Sequence, residues 1–298
     1  MTLPGKKICL AALFICLLLT ACAPPGNPPA AAPAATFSID NKGSDTMVNL
    51  ALAWAEQYQK LHANLRISVT GGGSGIGLAA LINRTTDIAN ASRAITAQEL
   101  AQAKANGSDP QEFVVARDAI GVIVNPHNPV SQLTLEQVSL IYRGKINNWR
   151  EVGGEDRPIV RLSRESNSGT HVYFLGAVIR MGSATDTSLF SPTTLLLPSS
   201  EGIIAEVSSN PNAIGYDGLG YLTPDVKTLA IAAKPGQPYI LPSARTVDDH
   251  TYSISRELFM YTPAQPKGAV LDYLDWIRSA DAQQIVADLG FVPIQGGK

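Results

Sequence analysis

Cysteine is absent from every part of this chain that could build a folded core. The three cysteines all lie near the amino terminus, at Cys9, Cys16 and Cys22. Disulfides and cysteine-based metal sites are therefore excluded from residues 23–298. Histidine is also scarce, and no paired metal-ligand spacing occurs among His62, His127, His171 and His250. The sequence predicts neither a metal site nor a cofactor.

The apolar run from Ile8 to Leu19 is too short to span a bilayer. Lys6 and Lys7 precede it and small residues follow it, which is typical of a secretory signal. The letters "LTAC" resemble a bacterial lipobox, in which the cysteine is lipidated and becomes the new amino terminus. We therefore predict a lipoprotein signal peptide over residues 1–21 and lipidation at Cys22; an ordinary signal peptide is the alternative.

Residues 22–36 are predicted to be a tether. After Cys22 the letters "APPGNPPAAAPAA" hold five prolines and no charge. Such a segment cannot pack a core and extends by roughly 3 Å per residue, so it could hold a domain up to about 40 Å from the lipid.

Basic residues are too few to create a positive field over the molecule. The chain has 23 lysines and arginines against 25 acids, and loss of Lys6 and Lys7 leaves 21 against 25, a net charge of −4. Nucleic acid is disfavoured as a partner on this count. A protein of this composition that binds an anion must rely on local dipoles.

From Phe37 onward, strand-like and helix-like segments alternate, which predicts an α/β architecture. Met47 to Leu61 carries an apolar stripe at helical spacing, "LRISVT" alternates like a half-buried strand, and "LAALI" favours another helix. The run "EFVVARDAIGVIVNP" reads as a strand broken at Asp118, residues 182–201 read as loop, and Gly290 is predicted to end the last helix.

Three loops share one chemistry. Residues 43–46, 71–75 and 168–170 each combine glycine with serine or threonine at a predicted helix start. The first N–H groups of a helix have no internal partner and carry partial positive charge, so three converging ends could hold a tetrahedral oxyanion. Ordinary helix capping is the alternative for each loop taken alone.

Named motifs fail around Ser74. A Walker A loop needs lysine where Leu78 stands, the dinucleotide fingerprint needs glycine or alanine there, and a nucleophile elbow needs glycine where Ile76 stands.

Six ordered segments carry a family resemblance: "GSDT…LALAWAEQY", "ISVTGGGSGIGLAALINRTTDIANASR", "LTLEQVSLIYRGKINNW", "SRESNSGT", "NPNAIGYDGLGYL" and "GFVPI". In this order they resemble the phosphate-binding lipoproteins of bacterial Pst ABC transporters. The resemblance implies a two-lobed periplasmic-binding-protein fold of type II character, with crossover strands between the lobes and the ligand in the cleft. Lobe 1 would take residues 37–118 and 247–298, and lobe 2 residues 119–246.

The same resemblance implies a monomeric extracytoplasmic protein, anchored by lipid to the cell membrane. It would capture inorganic phosphate without catalysing a reaction and deliver it to the membrane permease subunits. Carried over residue by residue, the family's ligand positions fall on Ser44, Asp45, Thr46, Ser74, Gly75, Asp87, Arg164, Ser168, Gly169 and Thr170.

This chain departs from the family pattern in two ways. Relatives often have a hydroxyl residue where Asp45 stands, so we expect Asp45 to offer its backbone N–H or to cap the helix. Some relatives orient the arginine with an acid two residues later, where this chain has Ser166, so Glu165 or another group must orient Arg164.

Asp87 is the predicted source of selectivity. Hydrogen phosphate can donate one hydrogen bond to a carboxylate and sulfate cannot, so such a contact would reject sulfate by roughly 10⁴ or more. Another oxyanion, such as sulfate or molybdate, is the alternative ligand. An extracytoplasmic phosphatase using Ser168 or Ser74 is a weaker alternative, because no motif supplies a base, and a sensing or adhesion role would share the same residues.

Overall fold

The computed structural model describes residues 37–294. The predicted signal peptide, the lipidation site Cys22 and the tether lie outside the described residues. Within residues 37–294 the strands are β1 Phe37–Gly43, β2 Leu65–Thr70, β3 Ile88–Ala91, β4 Gln111–Val124, β5 Gln132–Thr134, β6 Val160–Arg164, β7 Leu195–Leu197, β8 Ala213–Gly218, β9 Lys227–Thr228, β10 Ala230–Ala232 and β11 Ser255–Thr262.

The α-helices in the same range are α1 Val48–Leu61, α2 Ser74–Ile82, α3 Ala97–Ala105, α4 Leu135–Tyr142, α5 Gly169–Phe174, α6 Ser200–Ser209, α7 Ala244–Asp248, α8 Ala269–Ile277 and α9 Ala280–Asp288. A 3-10 turn, Asp45–Met47, leads directly into α1, and a π-helical segment, Leu175–Ile179, continues α5. None of the described helices is both long and apolar enough to cross a membrane. This alternation of strands and helices confirms the predicted α/β class.

Local sequence explains where several elements begin and end. The stripe predicted for α1 is buried, with Leu50, Trp54 and Tyr58 all inside. Thr96 and Thr134 each form a capping box with the residue three positions later, which satisfies N–H groups at the start of α3 and α4. Gly290 follows α9 with a φ of 80°, the left-handed conformation that glycine adopts without strain.

One twisted sheet runs through the molecule in the order β2-β1-β3-β11-β4-β8-β6-β7, and β9 also pairs with β4. β1 is parallel to β2 and β3, and β6 is parallel to β7 and β8. Antiparallel β4 and β11 join the two parallel groups. The parallel strands of each group therefore send their carboxyl ends toward helix starts, where an α/β sheet binds ligands.

The predicted break at Asp118 is wrong, because β4 continues through it. What changes near Asp118 is the neighbour: β11 pairs with β4 as far as Ala119, and β8 takes over from Ile120. The residue stays in the ladder while the strand passes from one parallel group to the other. The predicted loop 182–201 also contains the short edge strand β7 and the start of α6.

Most buried apolar side chains of the described residues fall into two large clusters, and two smaller clusters hold the rest of those that cluster. One large cluster contains Ile39, Trp54 and Leu258 and lies against α1, α8 and α9. The other contains Ile120 and Tyr216 and lies against α4 and α5. The division into two lobes stays a prediction. Val247, Tyr252 and Ile254 were assigned to lobe 1, but they pack in the second cluster with residues of predicted lobe 2.

Candidate functional site

The three predicted loops meet at one place. The Gly73 amide donates to the Gly43 carbonyl at 2.9 Å, which joins the first two loops. Thr46 Oγ1 lies 2.8 Å from Thr170 Oγ1, which joins the first loop to the third. The Gly75 amide donates to the carbonyl of Asn167 at 2.9 Å, which joins the second to the third. The convergence predicted from the sequence is therefore confirmed.

Hydroxyl groups are concentrated where the loops meet. The hydroxyl cluster consists of side chains that are at most 3% exposed: Ser44, Thr46, Ser74, Ser92, Ser168 and Thr170. Ser74 Oγ accepts from the Ser92 amide at 3.0 Å, and Ser168 Oγ accepts from the Thr170 amide at 3.2 Å. The hydroxyl of Ser44 is buried without a partner among the described residues. An unpartnered buried donor at a helix start is suited to an anionic acceptor.

Glycine is required where the third loop approaches the second. A Cβ on Gly169 would lie 2.3 Å from Ser74 Oγ and 2.5 Å from Ser92 Oγ. Gly75 approaches Asn167 in a similar way, with 3.1 Å between its would-be Cβ and the Asn167 carbonyl oxygen. Larger residues at either position would push the loops apart. The Gly75 amide already donates to the Asn167 carbonyl. The role of this glycine is therefore to let the second and third loops come close together.

Arg164 ends β6 beside the hydroxyl cluster and is only 1% exposed. Its Nη1 donates to Ser200 Oγ at 2.8 Å, and its Nη2 donates to the Pro198 carbonyl and to Asp45 Oδ2, each at 2.7 Å. Its Nε is buried and has no partner among the described residues. The guanidinium is thus held on two nitrogens and keeps a buried donor free.

Of the two roles expected for Asp45, helix capping is wrong, and an offer of its backbone N–H to the ligand stays a prediction. Its side chain does not cap the helix; instead, Oδ2 accepts from Arg164 and Oδ1 accepts from the Gly72 amide at 2.7 Å. The Tyr221 hydroxyl donates to the Asp45 carbonyl at 2.7 Å. Asp45 is therefore the acid that orients Arg164, together with Ser200, while Glu165 is exposed. Of the two expectations, Glu165 or another group, the second is confirmed, because Asp45 and Ser200 hold Arg164.

Comparison with known proteins places this chain in a family. A model of the PBP superfamily domain matches residues 28–281. The phosphate-binding protein PstS of Pseudomonas aeruginosa is 31% identical over 274 residues, covering 86% of this chain and 83% of that protein. PstS of Bacillus subtilis is 32% identical over 267 residues, covering 87% and 82%. The chain belongs to the phosphate-binding protein PstS family.

Solved structures agree with this membership. A Clostridium perfringens protein, described as a putative phosphate ABC transporter substrate-binding protein with bound phosphate, matches with a TM-score of 0.76 at 28% identity. That match covers 87% of this chain and all of the other. An ABC-type phosphate transport receptor from Vibrio cholerae matches with a TM-score of 0.69 at 27% identity, covering 86% and 100%. The periplasmic-binding-protein fold of the PstS family is thus the fold of this chain.

The structure does not support the predicted placement of Asp87 at the ligand site. Asp87 is exposed, and its Oδ2 accepts from the Asp40 amide at 2.8 Å. It precedes β3, whereas the hydroxyl cluster lies beyond the other end of that strand. At about 3.3 Å per residue, the four residues of β3 separate Asp87 from the cluster by roughly 13 Å. The structure does not bring Asp87 to the site.

Ser92, which was not among the predicted ligand residues, lies in the hydroxyl cluster. It follows the carboxyl end of β3, and its amide and hydroxyl lie 3.0 Å and 3.3 Å from Ser74 Oγ. The sequence contained a usable signal, since residues just after parallel strands converge at one sheet edge. Sequence reasoning missed it because β3 is only four residues long and was not recognised as a strand.

His171 lies next to Thr170, but its ring contacts groups outside the hydroxyl cluster. Its Nδ1 lies 2.9 Å from the Arg164 carbonyl oxygen and 3.0 Å from Ser163 Oγ, and its ring stacks on Phe190. Burial lowers the pKa of His171, which favours the neutral ring. Within residues 37–294 neither Ser74 nor Ser168 hydrogen-bonds a histidine, and no group of three metal-ligating side chains occurs.

Proposed function

We propose that this protein captures inorganic phosphate at the hydroxyl cluster and delivers it to an ABC transporter permease. The observation that carries the proposal is Arg164, a buried guanidinium with an unpartnered Nε, set beside hydroxyl groups and helix starts. A charge-assisted contact from arginine, supported by neutral donors, is the arrangement that holds an oxyanion in a dry site. Membership of the PstS family and the likeness to a protein solved with bound phosphate support it.

The proposed ligand contacts are those sequence-predicted residues that lie at the cluster, with Ser92 added and Asp87 removed. Hydroxyl groups come from Ser44, Thr46, Ser74, Ser92, Ser168 and Thr170. Arg164 supplies the positive charge, Gly75 and Gly169 permit the loops to approach, and Asp45 orients Arg164. These groups bind an anion without offering a nucleophile paired with a base, so the proposal is a binding protein and the phosphatase alternative is weaker.

Removal of Asp87 from the site reopens the choice among oxyanions. The argument against sulfate rested on a carboxylate that accepts the proton of hydrogen phosphate. Asp45 is the acid at the cluster, and its two carboxylate oxygens already accept from Gly72 and Arg164. Another tetrahedral oxyanion therefore stays the second candidate ligand.

Calorimetric titration of residues 37–298 with phosphate, sulfate and molybdate tests the proposal, using protein freed of carried-over ligand. We expect one-to-one phosphate binding that is lost in Arg164→Ala. Absence of phosphate binding would sink the proposal, and tighter binding of sulfate or molybdate would select the second candidate. Asp87→Asn serves as the matched control, because an exposed carboxylate away from the cluster should leave the affinity unchanged.

Closure around the ligand is a further part of the proposal. Contacts between residues of the predicted lobe 1 and lobe 2, such as Thr46 to Thr170 and Asp45 to Arg164, support a cleft that closes on its ligand. A ligand that binds both sides favours the closed state by its differential affinity. Small-angle scattering should then report a smaller radius of gyration with phosphate than without it, and an unchanged radius would contradict closure.

The lipid anchor at Cys22 and the tether complete the proposed arrangement. The signal features of residues 1–21 and the proline-rich segment support an extracytoplasmic location at the membrane. Cys22→Ala should move the protein from the membrane fraction into the soluble fraction in the native host. Delivery to a permease predicts that phosphate uptake by a cell lacking the protein is restored by the parent chain and less well by Arg164→Ala.

A further inference from the structure

Asp217, the fifth residue of β8, is a buried carboxylate that the proposed phosphate contacts do not use. It is 0% exposed. Its Oδ1 accepts from Ser200 Oγ at 3.0 Å and from the Gly218 amide at 2.8 Å. Its Oδ2 is buried with no partner among the described residues. A buried carboxylate oxygen without a donor is costly while the group is ionised, and protonation removes the cost of burying the charge.

One serine connects this carboxylate to the oxyanion site. Ser200 Oγ accepts from Arg164 Nη1 at 2.8 Å and donates to Asp217 Oδ1. A hydroxyl has a single proton, so these two bonds fix its direction: arginine to serine, serine to carboxylate. Any anion that binds at Arg164 therefore shares its cation with Asp217, and Arg164, Ser200 and Asp217 are all at most 1% exposed.

The other charges around Asp217 do not neutralise it. Asp118 lies on the Gly218 side, where a Cβ on Gly218 would be 2.5 Å from its Oδ2, but Asp118 is paired with Arg256. The Asp45 carboxylate pairs with Nη2 of Arg164, whereas Ser200 accepts from Nη1. Tyr216 and Tyr221 are the nearby phenols, and burial raises the pKa of both, so they stay neutral. Arg164 is thus shared by two carboxylates before any ligand arrives.

The pKa of Asp217 reflects its burial and the nearby charge of Arg164. Burial raises the pKa of its carboxyl to about 6, and the charge of Arg164 is the main influence that opposes the rise. A phosphate dianion at Arg164 would offset that favourable charge and add repulsion, and both effects favour the protonated acid further. The group is therefore ionised at neutral pH before the ligand arrives and is poised to take up a proton when it does.

We propose that Asp217 is a proton-binding site coupled to the oxyanion site, so that an anion bound at Arg164 is accompanied by protonation of Asp217. The inference rests on the proposed function. One proton from solvent forms an O–H bond on the carboxylate, whose charge changes from −1 to zero; no other bond is made or broken. The consequence is that ionised Asp217 opposes phosphate binding, and protonated Asp217 does not.

The test measures the Kd for inorganic phosphate in the parent and in Asp217→Asn between pH 5 and pH 8.5, on residues 23–298. Asparagine keeps an oxygen that can accept from Ser200 and Gly218 while removing the charge. We expect similar Kd values at pH 5 and a parent that binds more weakly by about tenfold or more above pH 7.5, since one unit of pKa shift is tenfold in affinity. The ratio at each pH cancels the titration of phosphate itself.

Glu201→Gln is the matched control, because Glu201 follows Ser200 on α6 and is exposed. Removing this charge should change the Kd little at any pH. A parent-to-variant ratio for Asp217→Asn that does not vary with pH, or a variant that is weaker at every pH, would overturn the inference and leave Asp217 a structural residue. If the parent itself fails to bind phosphate at every pH, the proposed function fails instead.

Infrared difference spectroscopy on the parent keeps the inference testable if Asp217→Asn does not fold. Phosphate added at pH 7 should produce a new band of a protonated, buried carboxyl group. Absence of that band in protein that binds phosphate contradicts the coupling.

Discussion

Two buried arginines, Arg256 and Arg164, are held in opposite ways. Arg256 donates through Nε and Nη2 to Asp118 Oδ2 and through Nη1 to the Ser92 carbonyl. Both members of that pair are at most 2% exposed in their side chains. Arg164 donates to Asp45, which is 18% exposed, and to two neutral oxygens, and its Nε has no partner within residues 37–294. A closed pair stabilises a fold, whereas a guanidinium with a free buried donor is available to a ligand.

The Arg256 pair also lies where the sheet changes partners. Asp118 and Arg256 face each other on β4 and β11, and Asp118 accepts from the Leu219 amide beyond β8 at 3.0 Å. Burial raises the pKa of the Asp118 carboxyl, and Arg256 opposes that rise. The Arg256–Asp118 pair therefore connects β4, β11 and the residue after β8. Arg164, by contrast, lies at the end of β6, next to the hydroxyl cluster.

The largest expected effect is a loss of stability when the Arg256–Asp118 pair is broken. Asp118→Ala leaves Arg256 charged and buried without its partner, which should reduce the free energy of unfolding by roughly 3–5 kcal/mol. Urea denaturation measures it. Asp248→Ala is the control, because its pair with Arg117 is partly exposed and should contribute about 1 kcal/mol or less. Equal losses from the two variants would contradict the distinction.

Arg164→Met should act mainly on binding. Loss of the charge-assisted contact should weaken phosphate by about 2–5 kcal/mol, more than tenfold in Kd. The free energy of unfolding should change less than in Arg256→Met, because Asp45 reaches solvent and Asp217 can take up a proton. Titration calorimetry and urea denaturation of both variants check this, and a larger loss of stability in Arg164→Met would reverse the comparison.

Asp217→Asn should raise stability only above acid pH. The pKa of Asp217 is about 6 in the folded chain, against an ordinary value of 3.8. Its contribution to the free energy of unfolding is therefore most favourable below about pH 4 and declines as the pH rises through 6. Removing the acid should therefore add up to about 3 kcal/mol at pH 7.5 and almost nothing at pH 4. Urea midpoints at both pH values measure it, and a gain that is equal at both would contradict the assignment.

Gly169→Ala should have the smallest effect of these changes. The added Cβ would contact Ser74 and Ser92, so the loops must separate at a cost of about 1–3 kcal/mol, seen chiefly as weaker phosphate binding. Gly176→Ala is the matched control on the continuation of the same helix, because no atom lies within 4 Å of its would-be Cβ. Calorimetry on the pair should separate a contact at the site from a change in helix propensity.

Sequence patterns predicted the longer elements well. The stripe of α1, the alternation of β2 and the β-branched run of β4 each lie within a single segment, where side-chain periodicity reports which face is buried. The short strand β3 and the edge strand β7 were missed, because three or four residues contain too little periodicity to detect. Asp87 was inferred from the family resemblance, and Ser92 was overlooked because β3 was not recognised as a strand.

By itself the sequence determined the α/β class, the three glycine and hydroxyl loops at helix starts, and the position of Arg164 beside the third loop, because each depends on residues close together along the chain. Only the tertiary structure decided that Asp45 orients Arg164 from 119 residues away, that Ser200 links it to Asp217, and that Asp87 lies away from the site. Hydrogen bonds between distant segments depend on strand order and register, and a local pattern does not contain either.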